Sequence, residues 1–291
     1  MTATWLITGA NSGLGLALAK YVLAQGAKVI ATARDVSRLP QELSAATPLA
    51  LNLDWSDEKI KSTILDAWKT HGPFDVVANN AGYSLTGPVE VLSANDIEAQ
   101  FKTNLFSQIS VIQALIPVMR ERKSGTFFNF SSVAGMAGNP PFSAYNASKA
   151  ALEAFTEALA KEVAPFGLRA YIVEPGFFPT SFLATAHSTT NHEATDRLYP
   201  QFTGITQRYH DIRVKDGQVG DVDKLAKVVF DVGSQPSLLK EGWVRLPVGP
   251  DSGKRILAKL ESIQENVEGT RALWESTDLS LEEVKKRWGS A

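Results

Sequence analysis

The chain has 291 residues, within reach of one α/β domain with insertions, and its 44% hydrophobic and 21% charged residues are ordinary for a globular protein with a sizeable core. Its 29 Lys and Arg against 31 Asp and Glu leave a formal charge of -2, so electrostatics gives no reason to expect nucleic acid or an anionic membrane surface as a partner. Cysteine is absent, which excludes disulfides, thiolate nucleophiles and cysteine metal sites.

The first residues, Met1 to Gly9, lack the basic start and apolar run of a signal peptide, and no apolar stretch approaches the roughly 20 residues of a bilayer span. A cytoplasmic protein with no membrane span is the expectation. Short apolar runs then follow one another at Thr4–Thr8, Lys28–Thr32, Leu49–Leu53, Asp75–Ala78, Thr126–Phe130 and Ala170–Val173. Each is bounded by turn residues and lacks clean alternation, as strands buried on both faces do. Between them, Leu14–Gln25, Glu58–Thr70, Ala94–Arg120 and Ala147–Ala164 carry apolar residues at helical spacing. This alternation predicts an α/β fold with a doubly wound, mostly parallel sheet.

Phe177–Gly220 is long, polar and without a clear period, which marks a functional or partly ordered connection. Asp221 is expected to cap a helix to about Val232, and Gly242–Val248 reads as the last strand. From Pro250 onward one or two surface helices are expected, one opened by the Ser280–Glu283 capping box. The resulting division is a single domain over residues 1–250, with residues 177–220 as a lid over the substrate, and a helical extension over 251–291.

After the first strand comes Thr8-Gly9-Ala10-Asn11-Ser12-Gly13-Leu14-Gly15, leading straight into a helix. Glycines allow a tight turn and close approach of backbone to a pyrophosphate, and the helix directs its positive end at the phosphates. A glycine-rich turn without a ligand is the bland alternative. The spacing, Thr-Gly-x-x-x-Gly-x-Gly, resembles that of the short-chain dehydrogenase/reductase family, in its simple single-domain branch. The resemblance implies a Rossmann-type sheet with helices on both faces and a nicotinamide dinucleotide bound by Thr8, Gly9, Asn11, Ser12, Gly13, Leu14 and Gly15.

Further motifs extend the resemblance. The second strand ends Ala31-Thr32-Ala33-Arg34-Asp35. An acid at this strand end would bond the ribose 2′-hydroxyl of NAD, whereas an arginine can grip a 2′-phosphate with two parallel hydrogen bonds. Ala33 stands at the usual position of the acid and Arg34 follows, which favours NADP(H). A shift of two would make Asp35 the reader instead. Asp54 matches the family position beside the adenine, although it could equally cap the next helix. Asn79-Asn80-Ala81-Gly82 matches the family's Asn-Asn-Ala-Gly element, which places Asn80, Ala81 and Gly82 beside the cofactor. Pro175, Gly176 and Thr180 match the loop that holds the nicotinamide amide.

Tyr145 and Lys149 are four apart at the start of a helix and so share a face. A phenol with a pKa near 10 is a poor base at neutral pH, and a nearby ammonium lowers that value. Such a pair occurs by chance on many amphipathic helices; its company gives it weight. Ser132 lies thirteen residues before Tyr145, the family distance for the residue that holds the substrate oxygen, with Ser131 the less favoured neighbour. Asn104 matches the family's fourth catalytic residue, which by resemblance anchors a water leading to Lys149. It falls mid-helix, where asparagine is disfavoured unless its side chain is otherwise engaged. The four histidines show no ligand spacing, and no metal is expected.

Candidate substrate contacts, besides Ser132 and Tyr145, are Met136, Phe142, Phe177 and Phe178, with Tyr83 and Pro141 as further pocket or core residues. They suggest a hydrophobic ketone, aldehyde or alcohol as small-molecule partner. The segment Asn139–Tyr145, the Pro175-Gly176 turn and the long tail look most like the 17β-hydroxysteroid-dehydrogenase-like subgroup. Members of that subgroup often form homodimers through the long helices Ala94–Arg120 and Ala147–Ala164; the sequence by itself leaves the assembly open. The expected function is NADPH-dependent carbonyl reduction or the reverse alcohol oxidation. The alternative is a non-catalytic NADP(H)-sensing protein on the same fold; epimerisation or dehydration is disfavoured by the loop spacing.

Overall fold

A computed structural model describes residues 2–180, 182, 187–188, 192–215 and 220–289. The chain opens with β1 (Thr4–Ile7), α1 (Gly13–Ala24), β2 (Lys28–Ala33), β3 (Thr47–Ala50), α2 (Asp57–His71), β4 (Val76–Asn79) and the short β5 (Leu85–Thr86). It continues through α3 (Ala94–Phe101), α4 (Ser107–Arg122), β6 (Gly125–Phe130), α5 (Val133–Met136), α6 (Ser143–Val163) and β7 (Leu168–Pro175). The short β8 (His187–Ser188), α7 (His192–Leu198), α8 (Ile205–Lys215), α9 (Val222–Ser234) and β9 (Arg245–Val248) follow. Three helices end the chain: α10 (Ser252–Gly269), α11 (Arg271–Glu275) and α12 (Leu281–Trp288).

Seven strands form one parallel sheet in the order β3-β2-β1-β4-β6-β7-β9. Its central strands β1, β4 and β6 are buried along their whole length because both faces are covered. Trp5, Leu6 and Ile7 of β1 are all fully buried. On one face, Ala17, Leu18 and Val22 of α1 meet Leu225 and Val229 of α9. On the other, Ile60 and Ile64 of α2, Ile112 and Leu115 of α4, and Leu159 of α6 close the second core. The chain leaves β1 in one direction to reach β2 and β3, then in the other to reach β4. The crevice beyond the carboxyl ends of β1 and β4 is therefore the topological switch point, where such sheets bind ligands.

The Rossmann-type single domain is as expected, and so are the Asp221 cap and the Ser280/Glu283 capping box. Several boundaries differ. The third strand lies at Thr47–Ala50 rather than Leu49–Leu53, because pairing with β2 ends at Ala33 opposite Ala50. Leu51 and Leu53 remain buried, but against the second core and outside the ladder. The helix expected at Ala94–Arg120 is interrupted by a π turn at Lys102–Phe106. The helix expected from Ala147 begins at Ser143 and carries Tyr145 in its first turn.

Part of the expected lid falls on residues 181, 183–186, 189–191 and 216–219, which lie outside the described residues. Within the rest of that segment, α7 and α8 form where no period was legible. The division at residue 251 also shifts in meaning. Asp251, Ser252 and Ile256 are buried, and Ser252 Oγ donates to the Glu174 carbonyl at 2.7 Å, so the first turn of α10 belongs to the core. Among the described residues, no helix is long and apolar enough to cross a membrane.

Candidate active site

The end of β1 is strapped to the end of β4. Thr8 Oγ1 accepts hydrogen bonds from the Asn80 and Ala81 amides, both at 2.9 Å. Asn80 Nδ2 donates back to the Thr8 and Gly9 carbonyls at 2.9 and 3.3 Å. Gly9 sits at φ +65, and a Cβ there would lie 3.0 Å from Ala81 Cα. A Cβ at Gly15 would collide with the Gly9 carbonyl and with Asn80 Nδ2. Glycine at these positions therefore lets α1 start directly against the loop. Ser12 caps α1 without a side-chain hydrogen bond, and the first turn holds no acid. The helix thus presents uncapped amides and its positive end to the crevice, which suits a pyrophosphate.

A cleft of about 820 Å³ opens in front of this loop. Gly9, Asn11, Ser12, Leu14, Arg34, Asp54, Asn80, Ala81, Gly82 and Thr180 line it. Its size, its glycine-shaped floor and its uncapped helix end fit a dinucleotide. Thr8 and Gly15 shape the floor from behind. Gly13 sits opposite Thr180, whose Cβ is 3.6 Å from where its own Cβ would be.

Asp35 lines the cleft too, but its carboxylate caps the next turn, accepting from the Ser37 amide at 3.0 Å and from Ser37 Oγ at 2.6 Å. Those bonds hold it below its ordinary range. Arg38, four residues beyond Arg34 and 3.7 Å from the Asp35 carboxylate, also lines the cleft. Sequence reading missed it, although its spacing from Arg34 was a usable signal. Asp54 does not cap α2. Ser56 does, accepting from the Lys59 amide at 3.3 Å, because the chain needs two more residues to turn into the helix. Asp54 instead accepts from Thr103 Oγ1 at 3.3 Å at the cleft wall.

The expected catalytic residues come together at the carboxyl edge. Ser132, at the end of β6, caps the single-turn α5 and accepts from the Ala134 amide at 3.2 Å. Lys149, only 3% exposed, lies with Nζ 6.0 Å from the Tyr145 ring centre and donates to the Phe130 carbonyl at 2.6 Å. Asn104 is fully buried in the π turn. Its Oδ1 accepts from the Tyr83 amide at 3.1 Å, and its Nδ2 donates to the Tyr83 carbonyl at 3.0 Å and to Ser148 Oγ at 3.2 Å. That is the engagement a mid-helix asparagine needs. A Cβ on Gly82 would sit 3.0 Å from Asn104 Oδ1 and 3.6 Å from Lys149 Nζ, so these three residues share one small space.

The electrostatics differ from the sequence expectation. Burial pushes the Tyr145 phenol up to about 12, with a hydrogen bond to Ser132 pulling the other way and the Glu153 carboxylate adding to the rise. Burial also lowers Lys149 to about 8, against the pull of Glu153. Both groups are dry, and the cost of charging each outweighs their attraction at this separation. Tyr145 is therefore a protonated phenol at neutral pH.

Sequence reading also missed Glu153, one turn beyond Lys149. It accepts from Ser131 Oγ at 2.6 Å and pairs with Arg245 at 2.9 Å. Ser131 Oγ reaches the Lys149 carbonyl as well, at 3.4 Å. The Ser131 hydroxyl is thus committed to Glu153.

A second cavity, of about 180 Å³, lies beside the first. Ser132, Phe142, Tyr145, Phe177 and Phe178, named as candidate substrate contacts, line it, together with Pro175 and Gly176, named for the nicotinamide, and the unforeseen Phe182 and Arg255. Leu14, Thr180 and Phe182 line both volumes, which therefore adjoin. Met136 and Pro141 are not among the lining residues, and Tyr83 lines the larger cleft instead. Helix α5 is only one turn long, and it is Val133 and Ala134, at its start, that reach the cavity.

Residues 3–191 match the family model for short chain dehydrogenases. Oxidoreductase BOA17 of Botryotinia fuckeliana (strain B05.10) is 35% identical, over 87% of this chain and 90% of its own length. The crystal structure of a short-chain dehydrogenase from Streptomyces avermitilis superposes with a TM-score of 0.83 at 31% identity, covering 96% of this chain and 99% of that one. A 3-ketoacyl-(acyl-carrier-protein) reductase from Brucella melitensis, solved with NADH, is 25% identical with a TM-score of 0.69, covering 84% and 96%. The chain belongs to the short-chain dehydrogenase family of oxidoreductases.

Proposed function

We propose that this protein is an NADP(H)-dependent reductase of ketones or aldehydes with an apolar body. The observation that carries this reading is that Tyr145 and Ser132 line an apolar cavity adjoining the dinucleotide-sized cleft, with the Lys149 ammonium 6.0 Å from the Tyr145 ring. When bound, the nicotinamide supplies the hydride that reduces the carbonyl carbon.

Every other role falls to the chain's own groups. Ser132 Oγ accepts from the Ala134 amide and hydrogen-bonds with Tyr145, which sets the two hydroxyls side by side to receive one substrate oxygen. Tyr145, kept as a phenol by burial, gives its proton to that oxygen as negative charge develops there. A nascent alkoxide is basic enough to take a proton even from a phenol whose pKa has been raised, so burial suits reduction. Lys149 stabilises the phenolate left behind, and Asn104 is assigned to the path that returns the proton. Alcohol oxidation, which begins by removing a proton, gains less from such a phenol.

The preference for NADP(H) over NAD(H) is supported by Arg34 and Arg38 on the cleft wall and by the engagement of the Asp35 carboxylate with Ser37. Gly9, Gly13, Gly15, Asn80 and Gly82 would hold the dinucleotide through backbone, and Asp54 would face its adenine end. Residues 177–220 are assigned as the lid over the substrate. A cytoplasmic homodimer belongs to the same reading. The cysteine-free sequence is consistent with the location, and the exposed Phe106 at the head of α4 with the assembly.

The test is a panel of ketones and aldehydes offered with NADPH and with NADH, followed by loss of nicotinamide absorbance. Turnover is expected on apolar carbonyls, faster with NADPH. Tight NADPH binding without turnover of any carbonyl would replace this reading with that of a nucleotide sensor.

A further inference from the structure

Four charged side chains meet behind the Tyr145/Lys149 pair. Arg245 of β9 donates to Glu153 of α6 at 2.9 Å, to Glu157 of the same helix at 2.5 Å and to Glu174 of β7 at 2.5 Å. Glu153 is 3% exposed and Glu174 is fully buried. Carboxylates are rarely placed so deep unless they are paired, and here one cation serves three acids. Burial pushes the Glu174 carboxyl up to about 7; even with a proton there, Glu153 and Glu157 outnumber Arg245. Burial also raises the Glu153 carboxyl, and the bonds from Ser131 and Arg245 pull it back toward the ionised form.

Glu153 is fitted to the turn that carries Ser132. It accepts from Ser131 Oγ at 2.6 Å, and a Cβ on Gly135 would collide with both its carboxylate and Ser131 Oγ. The Gly135 amide in turn donates to the Ser132 carbonyl at 2.9 Å. Ser132 is therefore held between two residues that rest on one carboxylate. On its own helix Glu153 stands one turn beyond Lys149 and two beyond Tyr145, so the three share a face. Its charge raises Lys149 against the effect of burial and raises the Tyr145 phenol further. Both effects favour the protonated form, from which reduction starts.

We propose that Glu153, gripped by Arg245, is a positioning residue for the reduction: it fixes the turn that carries Ser132 and sets a negative charge behind Tyr145 and Lys149. This rests on the carbonyl-reductase reading above, to which it adds the group that keeps the site loaded for proton donation. The two parts of the role can be separated. Glu153→Gln keeps an acceptor for Ser131 and loses the charge, whereas Ser131→Ala loses the bond and keeps the charge.

The test titrates Lys149 directly, by NMR of protein labelled with 13C at the lysine Cε, with the Lys149 signal identified by its loss in Lys149→Met. In the wild type its midpoint is expected at about 8. In Glu153→Gln the midpoint should fall by about one unit. With NADPH and a ketone of the panel, kcat at neutral pH should fall about tenfold in that variant, while KM for NADPH stays within about twofold. Ser131→Ala should lower kcat without moving the lysine midpoint. A midpoint that stays in place in Glu153→Gln overturns the proposal and leaves the reductase reading intact. So does a kcat that is unchanged in both variants, which would make Glu153 a purely structural ion pair. If Glu153→Gln does not fold, Ser131→Ala decides, and an unaltered kcat there overturns the proposal. A fall of the midpoint in a protein that reduces no carbonyl keeps the charge behind the pair and removes the reductase reading.

Discussion

The two volumes that meet at Thr180 and Phe182 are made in different ways. The larger cleft is shaped by backbone: a left-handed Gly9, the approach of α1 at Gly15, and the Thr8–Asn80 hydrogen bonds that clamp the ends of two neighbouring strands. The smaller cavity is shaped by side chains brought from α5, α6, the loop after β7 and the first turn of α10. A backbone-built site fixes what every member of such a fold must bind. A side-chain-built site can be altered one residue at a time, so specificity belongs there. The proposed reaction uses α6, whose Tyr145 lines the smaller volume beside that meeting point.

The sharpest way to break this division is at the meeting point. Tyr145→Phe removes the proton donor while leaving both volumes in place. The expected loss is about a hundred- to ten-thousandfold in kcat, with dinucleotide affinity unchanged, measured by steady-state kinetics and by fluorescence titration of NADPH. Substantial residual activity would move the acid elsewhere.

Lys149→Met should separate function from stability. Lys149 has a folded-state pKa of about 8, against an ordinary value of 10.5. Below about 8 it is charged in both folded and unfolded chains, and the folded state bears the full cost of burying it. Between these values the unfolded chain holds a proton that the folded chain has released, so stability rises with pH; above 10.5 the cost is gone. The variant should therefore lose activity yet gain about 3 kcal/mol of stability near neutral pH, a gain that shrinks toward zero as the pH rises past 10.5. Urea unfolding at the two pH values measures it. A gain independent of pH would mean that the lysine is not buried as a charge.

At the backbone-built end, Arg34→Ala combined with Arg38→Ala should lower kcat/KM for NADPH by about tenfold to a hundredfold while changing that for NADH by less than about twofold. Equal losses would mean that these arginines only shape the loop. The smallest expected effect is that of Asp35→Asn. Because its carboxylate is engaged with Ser37, the NADPH-to-NADH preference should move by no more than about twofold, with a slight loss of stability from the weakened cap. A collapse of NADH use alone would identify Asp35 as the residue that reads the ribose.

Much of this was legible in sequence because it is local. Thr8 to Gly15 needs only a strand before it and a helix after it. Tyr145 and Lys149 need only helical spacing, and Asn104 announces itself as a polar residue in an apolar helix, where the chain forms its π turn. What was not legible depends on segments that are distant in the chain. Glu153 reads as one more helix charge until Ser131 and Arg245 close on it. Met136 reads as a pocket residue until α5 proves to be one turn long. Arg255 reads as a surface charge on a tail until Asp251 fastens that turn to Phe177.

By itself, then, the sequence determined the sheet, the glycine-rich loop and the order of the candidate catalytic groups, because each is encoded in spacings of a few residues whose hydrogen bonding and periodicity are set within one element. The tertiary structure alone decided that the Ser131 hydroxyl engages Glu153, which arginines line the two volumes, and how strongly burial opposes charge on the tyrosine and lysine. Those properties follow from how much water the surrounding elements exclude, and the cost of holding a charge without water is not written in any short stretch of chain.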